Sequence, residues 1–348
     1  MTSSTSLHPI QNTNKEENLI VTLQTWLQHE TKLPLIDLRS HTEYQTKRLK
    51  VNERIIVHLP FEDLQSGERS CELPPRNVQF AILIPSHTNM DLVHELFFGR
   101  KSKATQQSRK PWFVLQILIE NESLWSDAEA LNLVCKEALD PLCQARLWKP
   151  DGMVENTLLP LLQDKFKSES CESFTIWDLG SGAGRDVCFL AEELKHISTN
   201  MSKNFTIVGF DNHKGSAARS NPFWKNRGVA DVTASKLLNL QHVHLLHDAI
   251  QEEKNLVCLY AVRFLNRTML RFIASCTNIK GIFAMSHFCK ETKDSEWNFE
   301  HPNVKHVLER NELEELFSAE NGWETLHDSI CMDGDHGRTL IHFCARKM

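Results

Sequence analysis

The sequence predicts an α/β protein of two units, the second built on a mostly parallel sheet with a nucleotide-type corner at its centre. Three observations carry this. The stretch Thr175-Ile176-Trp177-Asp178-Leu179-Gly180-Ser181-Gly182-Ala183-Gly184-Arg185-Asp186 runs from an apolar strand into alternating glycines. Val187, Leu190, Ala191 and Leu194 then fall at i, i+3, i+4 and i+7, which gives one apolar helix face. Strand-type and helix-type stretches alternate along the rest of the chain. A strand, a glycine turn and a helix in that order place unpaired helix N–H groups and a partial positive charge beside backbone that a ligand can approach.

Length and composition set the outer limits. The 348 residues suit two domains better than one. Apolar residues make up 41% and charged residues 24%, ordinary values for a globular chain. No apolar run approaches the roughly 20 residues that span a bilayer, so no membrane partner is expected. The net charge of −6 argues against broad electrostatic binding to nucleic acid and leaves room only for a local basic patch. None of the ten cysteines forms C-x-x-C, and Cys188, Cys258 and Cys344 sit in apolar runs. That is core usage in a reducing compartment, with neither a disulfide nor a zinc framework. Residues 1–17 are polar and carry acids, unlike a signal or transit peptide. They are expected to be a disordered tail, and the cytoplasm, with nuclear access left open, is the expected compartment.

Residues 18–120 read as a small α/β domain. A short helix over Leu19–Leu27 precedes an apolar strand, Leu33 to Ser40. Further strands are expected at Arg54–Pro60, Gln79–Pro85 and Trp112–Glu120, with a helix over Asp91–Phe98. Asn121 to Asp140 reads as polar and helical, and residues 121–144 are taken as the close of this domain and a linker. Ile36-Asp37-Leu38-Arg39-Ser40 with Glu43-Tyr44, followed by Ile56 to Leu64, resembles the rhodanese-like domains. In that family the loop after the central strand carries a nucleophilic cysteine. Here that loop reads Pro85-Ser86-His87-Thr88-Asn89-Met90 and holds no thiol. A serine hydroxyl cannot carry a transferable sulfur. The resemblance therefore implies an inactive rhodanese fold used for packing or for binding a protein partner. The Gly99–Lys110 stretch is basic and reads as a solvated loop, or as an RNA contact in the alternative.

Residues 145–348 carry the glycine corner. A Trp at position 148 is either part of a lid or an apolar anchor, and a helix follows over Met153–Leu162. A dinucleotide fingerprint reads G-x-G-x-x-G. The pattern here is D-x-G-x-G-x-G, from Asp178 to Gly184, and the next strand, Phe205 to Phe210, ends in Asp211. An acid there accepts hydrogen bonds from ribose hydroxyls. Asp178 suits a cationic ligand. These residues resemble the cofactor site of the class I, seven-stranded S-adenosylmethionine-dependent methyltransferases, with a Rossmann-like sheet. The resemblance implies S-adenosyl-L-methionine as cofactor, held by Asp178, Gly180, Ser181, Gly182, Gly184, Asp211 and Asn212.

The remaining elements are read against that sheet. Asn221-Pro222-Phe223-Trp224 resembles the tetrad of amino-methyltransferases, but it follows the wrong strand and is rejected as catalytic. Ala230–Leu240 is read as helix, and Gln241–Ala249 as the third strand and its exit. The resemblance then implies that Asp248 and Ala249 meet the adenine. His242 and His244 fall on one face of that strand and His247 on the other, so no metal site is expected. The fourth strand is Leu256–Val262. Arg263 and Asn266 at its carboxyl end face the site, and Arg263 is a candidate to hold an anion. The fifth strand, Lys280–Phe288, ends near His287, either a general base or a wall residue. A helix over Asn311–Ser318 and an antiparallel pair, Trp323–Leu326 with Arg338–Ala345, close the sheet. The expected function is direct, in-line methyl transfer to an unidentified acceptor, a small molecule for preference. An RNA methyltransferase and a non-catalytic, cofactor-holding adaptor are the alternatives.

Overall fold

The computed structural model describes residues 19–99, 111–137, 145–168, 173–201, 203–292, 294–333 and 337–348, without the side chains of 199–201. The basic stretch 100–110 and the tail 1–18 lie outside the described residues. Two compact units form, one mainly from residues up to 139 and the other mainly from 149 onward.

The first unit runs through α1 (Leu23–Leu27), β1 (Leu35–Asp37), α2 (His41–Thr46), β2 (Arg48–Leu49), β3 (Ile56–His58), α3 (Phe61–Ser66), β4 (Gln79–Ile84), α4 (Met90–His94), β5 (Phe113–Ile119), α5 (Glu122–Ala130) and β6 (Val134–Cys135). Its main sheet has the order β3-β1-β4-β5, all parallel. Both faces are covered, so β4 reads as an unbroken apolar run. Asp37 and Arg39 sit beneath the sheet's carboxyl end as a buried pair 2.6 Å apart. Arg39 also reaches Glu120 at 3.0 Å and stacks on Trp125. The stretch from 121 is helical as read: Asn121 caps α5, whose Leu124, Trp125 and Ala128 are buried, and β6 then pairs with β2. Residues 138–144 of the expected linker lie outside the described residues.

The second unit runs through α6 (Leu159–Ser168), β7 (Ser173–Leu179), α7 (Arg185–Met201), β8 (Asn204–Asp211), α8 (Lys214–Asn226), β9 (Thr233–Leu237), α9 (Val243–Glu252), β10 (Leu256–Val262), α10 (Arg267–Ser275), β11 (Ile282–Phe288), α11 (Glu312–Leu316), β12 (Trp323–Asp333) and β13 (Arg338–Lys347). Its seven-stranded sheet has the order β12-β13-β11-β10-β7-β8-β9. Only β13 runs antiparallel to its neighbours β11 and β12. This is the mixed sheet with a closing hairpin that the resemblance implies.

Two expected elements are exchanged. The stretch read as helix holds the third strand, β9, and the stretch read as the third strand is helix α9. The β9 residues Thr233-Ala234-Ser235-Lys236-Leu237 form an edge strand with none fully buried, so no apolar alternation marks them. In α9, Leu246 and Ile250 lie one turn apart and are buried, the spacing of a helix. The strand-face argument about His242, His244 and His247 lapses with it. Among the described residues no group of three or more His, Cys, Asp or Glu is placed to hold a metal ion.

Candidate active site

The sheet brings the carboxyl ends of β7 and β10 side by side, with Asp178 opposite Tyr260. Strand order reverses at this point, because β8 continues on one side of β7 and β10 on the other. Ligands of open α/β sheets bind in the crevice outside such a reversal.

The glycine loop there is fixed by backbone bonds. The N–H groups of Gly180 and Ser181 both donate to the Phe210 carbonyl at 2.9 Å. Asp211 accepts from the Gly182 N–H at 2.9 Å through one oxygen and from the His213 N–H at 2.8 Å through the other. A Cβ on Gly180 would lie 2.5 Å from the Phe264 ring, so that glycine is set by close packing. Gly184 packs against Trp224, whose indole N–H donates to the Gly184 carbonyl at 2.9 Å. Gly182 is different: φ is +54° and nothing lies within 4 Å of where its Cβ would point. The loop opens to a ligand at that residue.

The electrostatics beside the loop are acidic. Asp178 is 2% exposed and has the buried Tyr260 hydroxyl as a hydrogen-bonding neighbour, though neither its Oδ1 nor that hydroxyl has a partner at ordinary hydrogen-bond distance among the described residues. Burial pushes the Asp178 carboxyl well above the usual carboxylate range, and the Asp186 charge adds to it. Asp186, at the start of α7, is pushed up to about 6, again chiefly by burial. Its Oδ1 accepts from the Asp151 N–H at 2.8 Å. Asp151 in turn accepts from the Ser286 hydroxyl at 3.0 Å and stands 3.9 Å from the His342 imidazole. Desolvated carboxyls beside an open loop suit a cationic, hydrogen-bond-donating ligand, which would stabilise their charged forms.

Six of the expected residues therefore converge: Asp178, Gly180, Ser181, Gly182, Gly184 and Asp211. Asn212 follows directly and is exposed. Asp248 and Ala249 do not fit their expected place. They lie inside α9 rather than at a strand end, and the Asp248 side chain is largely exposed beside His247. The carboxyl end of the true third strand is Leu237, with Leu238 bonded through its N–H to the Asp211 carbonyl. Asn266 is spent as the cap of α10, accepting from Met269 N–H and donating to the Leu240 carbonyl. His287 is 4% exposed, and its Nε2–H donates to the His306 carbonyl at 2.9 Å. Burial pulls it down to about 4, so it is neutral at physiological pH. Neighbouring strand residues face opposite ways, so His287 points away from the face where Ser286 meets Asp151. Trp148 is buried within the first unit.

Sequence reasoning missed Asp151, Asp186, Tyr260, Ser286 and His342 as parts of the site. Asp151 carried a signal: it lies in Lys149-Pro150-Asp151-Gly152 directly before a helical stretch, and its carboxylate caps the Met153 N–H. Ser286 and His342 meet only through cross-strand register, which no local pattern records.

No protein-family model matches the chain, and no curated protein does. Some solved structures are similar to part of it. One is an S-adenosylmethionine-dependent methyltransferase from Geobacter sulfurreducens in complex with S-adenosyl-L-homocysteine. It is 12% identical, covers 56% of this chain and 92% of its own, and has a TM-score of 0.39. Another is geranyl diphosphate C-methyltransferase from Streptomyces coelicolor A3(2), at 11% identity, 56% and 81% coverage and 0.38. A third is the [4+2]-cyclase SpnF, at 12% identity, 54% and 80% coverage and 0.37. At that identity and TM-score the likeness assigns nothing to this chain, and both its fold and the chemistry of its site have to be read from its own residues.

Proposed function

We propose that the second unit is an S-adenosylmethionine-dependent methyltransferase acting on a small molecule. The observation that carries the reading is the buried Asp178 carboxyl, facing the Tyr260 hydroxyl under an open glycine loop. The residues present fit that cofactor. Each Asp211 oxygen keeps a second lone pair for a ribose hydroxyl after accepting one backbone N–H. Asp178, with Asp186 behind it, would take the cationic methionine end, and Gly182 lets the ligand pass close to the backbone. When bound, the cofactor supplies a methyl group on a sulfonium centre, an electrophile that needs no further activation. What the chain does is hold that centre, align an acceptor atom with it and keep water out.

The first unit is read as a rhodanese-like domain without sulfur transfer, because the loop after β4, Pro85–Met90, has no thiol. Its role would be packing or partner binding. The test of the whole reading is calorimetric titration of S-adenosylmethionine and S-adenosylhomocysteine into wild-type protein and Asp211→Ala. Micromolar binding that weakens in the variant is expected. No binding to wild type would sink the methyltransferase reading and favour an adaptor. Turnover only on RNA, lost steeply with salt, would exclude the small-molecule acceptor.

A further inference from the structure

We infer that the methyl acceptor is an organic anion, a carboxylate or a phosphate ester, whose charged end is taken by the Arg263 guanidinium above Phe288. This rests on the methyltransferase reading. Arg263 is the first residue past β10, and its N–H is bonded to the Ser286 carbonyl of β11 at 2.7 Å. That bond fixes it in a left-handed conformation, with φ of +54°. A glycine would occupy such a position without strain, so an arginine held there has a use for its side chain.

The guanidinium is under-used. Its side chain is 46% exposed, and its one ion pair among the described residues is a long contact of 3.4 Å to Asp333. Asp333 is itself held more tightly by Arg338, at 2.6 Å. Among the described residues two guanidiniums thus share the buried Asp333 carboxylate, and the Arg338 Nε–H is buried there without a partner. Arg267, four residues on, shows what a structural arginine looks like here. It makes two bonds to Glu312 and further bonds to the Lys305 and Val307 carbonyls. Arg263 has no comparable set.

The surroundings fit an anion with an apolar body. Both guanidiniums stand over the Phe288 ring, at 5.6 Å for Arg263 and 4.6 Å for Arg338. Phe288, Val307 and Leu340 form a small apolar cluster, with Trp297 and Cys331 packed against it. Arg263 also acts on Asp186, drawing that carboxyl down against its burial. It therefore stands between the glycine loop that would hold the methyl donor and the β12–β13 hairpin. The donor end of the crevice is acidic, so an anion has one cationic corner to reach, and Arg can grip its oxygens bidentately.

The test uses the full-length protein saturated with S-adenosylhomocysteine. Benzoate, phenylacetate and phenyl phosphate are titrated by calorimetry alongside their neutral relatives benzamide and phenylacetamide. The anions are expected to bind at least about 10-fold more tightly than the amides. Arg263→Gln should bring that preference to within about 3-fold while S-adenosylhomocysteine affinity holds. Arg263→Gly, which relieves the left-handed backbone, should lose the preference equally with no fall in Tm, and so separates a lost contact from a damaged fold. Equal binding of anions and amides, or no anion binding at all, overturns the inference. So does Arg263→Gln weakening S-adenosylmethionine but not its decarboxylated form, since that assigns the arginine to the donor's carboxylate. If S-adenosylhomocysteine fails to bind wild type, the methyltransferase reading falls and takes this inference with it. If it binds and no anion preference exists, this inference falls alone.

Discussion

Asp178→Asn should strengthen the fold and weaken the site in one step. The carboxyl is 2% exposed, its Oδ1 has no partner at ordinary hydrogen-bond distance among the described residues, and Asp186 and Asp211 repel its charge. A buried polar group without a partner costs about 1–3 kcal/mol. Asparagine keeps the shape, sheds the charge and adds N–H donors that face the Tyr260 oxygen. The ligand-free protein should gain about that amount, or roughly 2–4 °C in Tm for each kcal/mol in a unit of this size. The ligand loses a charged acceptor worth ~1.5–3 kcal/mol, which weakens S-adenosylhomocysteine binding by roughly 10- to 150-fold. The pH dependence has a definite sign. A carboxyl whose folded pKa is raised binds more protons in the folded state, so stability falls as pH rises above the ordinary carboxylate value. Asparagine removes that part of the slope. Thermal unfolding with and without S-adenosylhomocysteine, together with calorimetry, measures both effects. A variant that unfolds earlier without ligand, or that binds S-adenosylhomocysteine as wild type does, would refute the assignment of Asp178 to a cation.

Three further outcomes follow from the same coordinates. Asp186, raised from 3.8 to about 6, should cost the ligand-free fold up to about 3 kcal/mol above pH 6. His287, lowered from 6.5 to about 4, works the other way, adding stability as pH rises between those values. Comparing denaturation of wild type and Asp186→Asn from pH 4 to 7 isolates the first effect, and identical slopes would remove it. Gly182→Ala, with open space at its Cβ, should cost only about 1–2 kcal/mol in backbone strain yet block the ligand. Gly180→Ala, driven into Phe264, should cost about 1–3 kcal/mol more through overpacking. Thermal shift and titration of the two variants separate these cases, and a Gly182→Ala that still binds S-adenosylhomocysteine would contradict the open path. In the first unit, Arg39→Met leaves Asp37 buried and alone and should destabilise by roughly 3–5 kcal/mol. Chemical denaturation showing less than about 1 kcal/mol would mean the pair is not structural.

What the sequence made legible was local. The β7 strand, the glycine loop and the apolar face of α7 lie within about 25 consecutive residues, and each carries its own periodicity or backbone requirement. β10 is buried on both faces and bounded by polar turns, so its ends were readable to the residue, whereas β8, exposed at Asn204 and Thr206, begins one residue earlier than its apolar run. β9 was not readable, because an edge strand with no buried residue has no pattern to show, while the His-rich helix beside it could be mistaken for alternation. The fate of Asn266 was hidden for another reason. An Asn before an apolar run is a cap as readily as a ligand, and only its bonds to Met269 and Leu240 decide between them. Ser286 with Asp151, 135 positions apart in the chain, is a contact that only the assembled sheet creates.

Charge is what separates this glycine corner from a phosphate-binding one. Both geometries offer a strand end, free helix N–H groups and a tight turn, so the backbone alone does not choose. Here the helix starts with Arg185-Asp186, and the strand ends beneath it in a buried carboxyl. A like charge about 4 Å away costs ~4 kcal/mol at an effective dielectric constant near 20. A pyrophosphate on this loop would face Asp211 and would have to keep Asp178 and Asp186 protonated, and so would lose more than a helix terminus returns, which is about 0.3–1 kcal/mol. A sulfonium ligand with an ammonium group reverses the sign of every one of those terms. It would also lower the carboxyl pKa values that burial has raised, so binding should release no proton from the ligand and take fewer onto the protein. Titration in buffers of different ionisation enthalpy reads that proton count directly. Proton release from the protein on binding near pH 6, where Asp186 is half-protonated, is the outcome a cationic ligand requires.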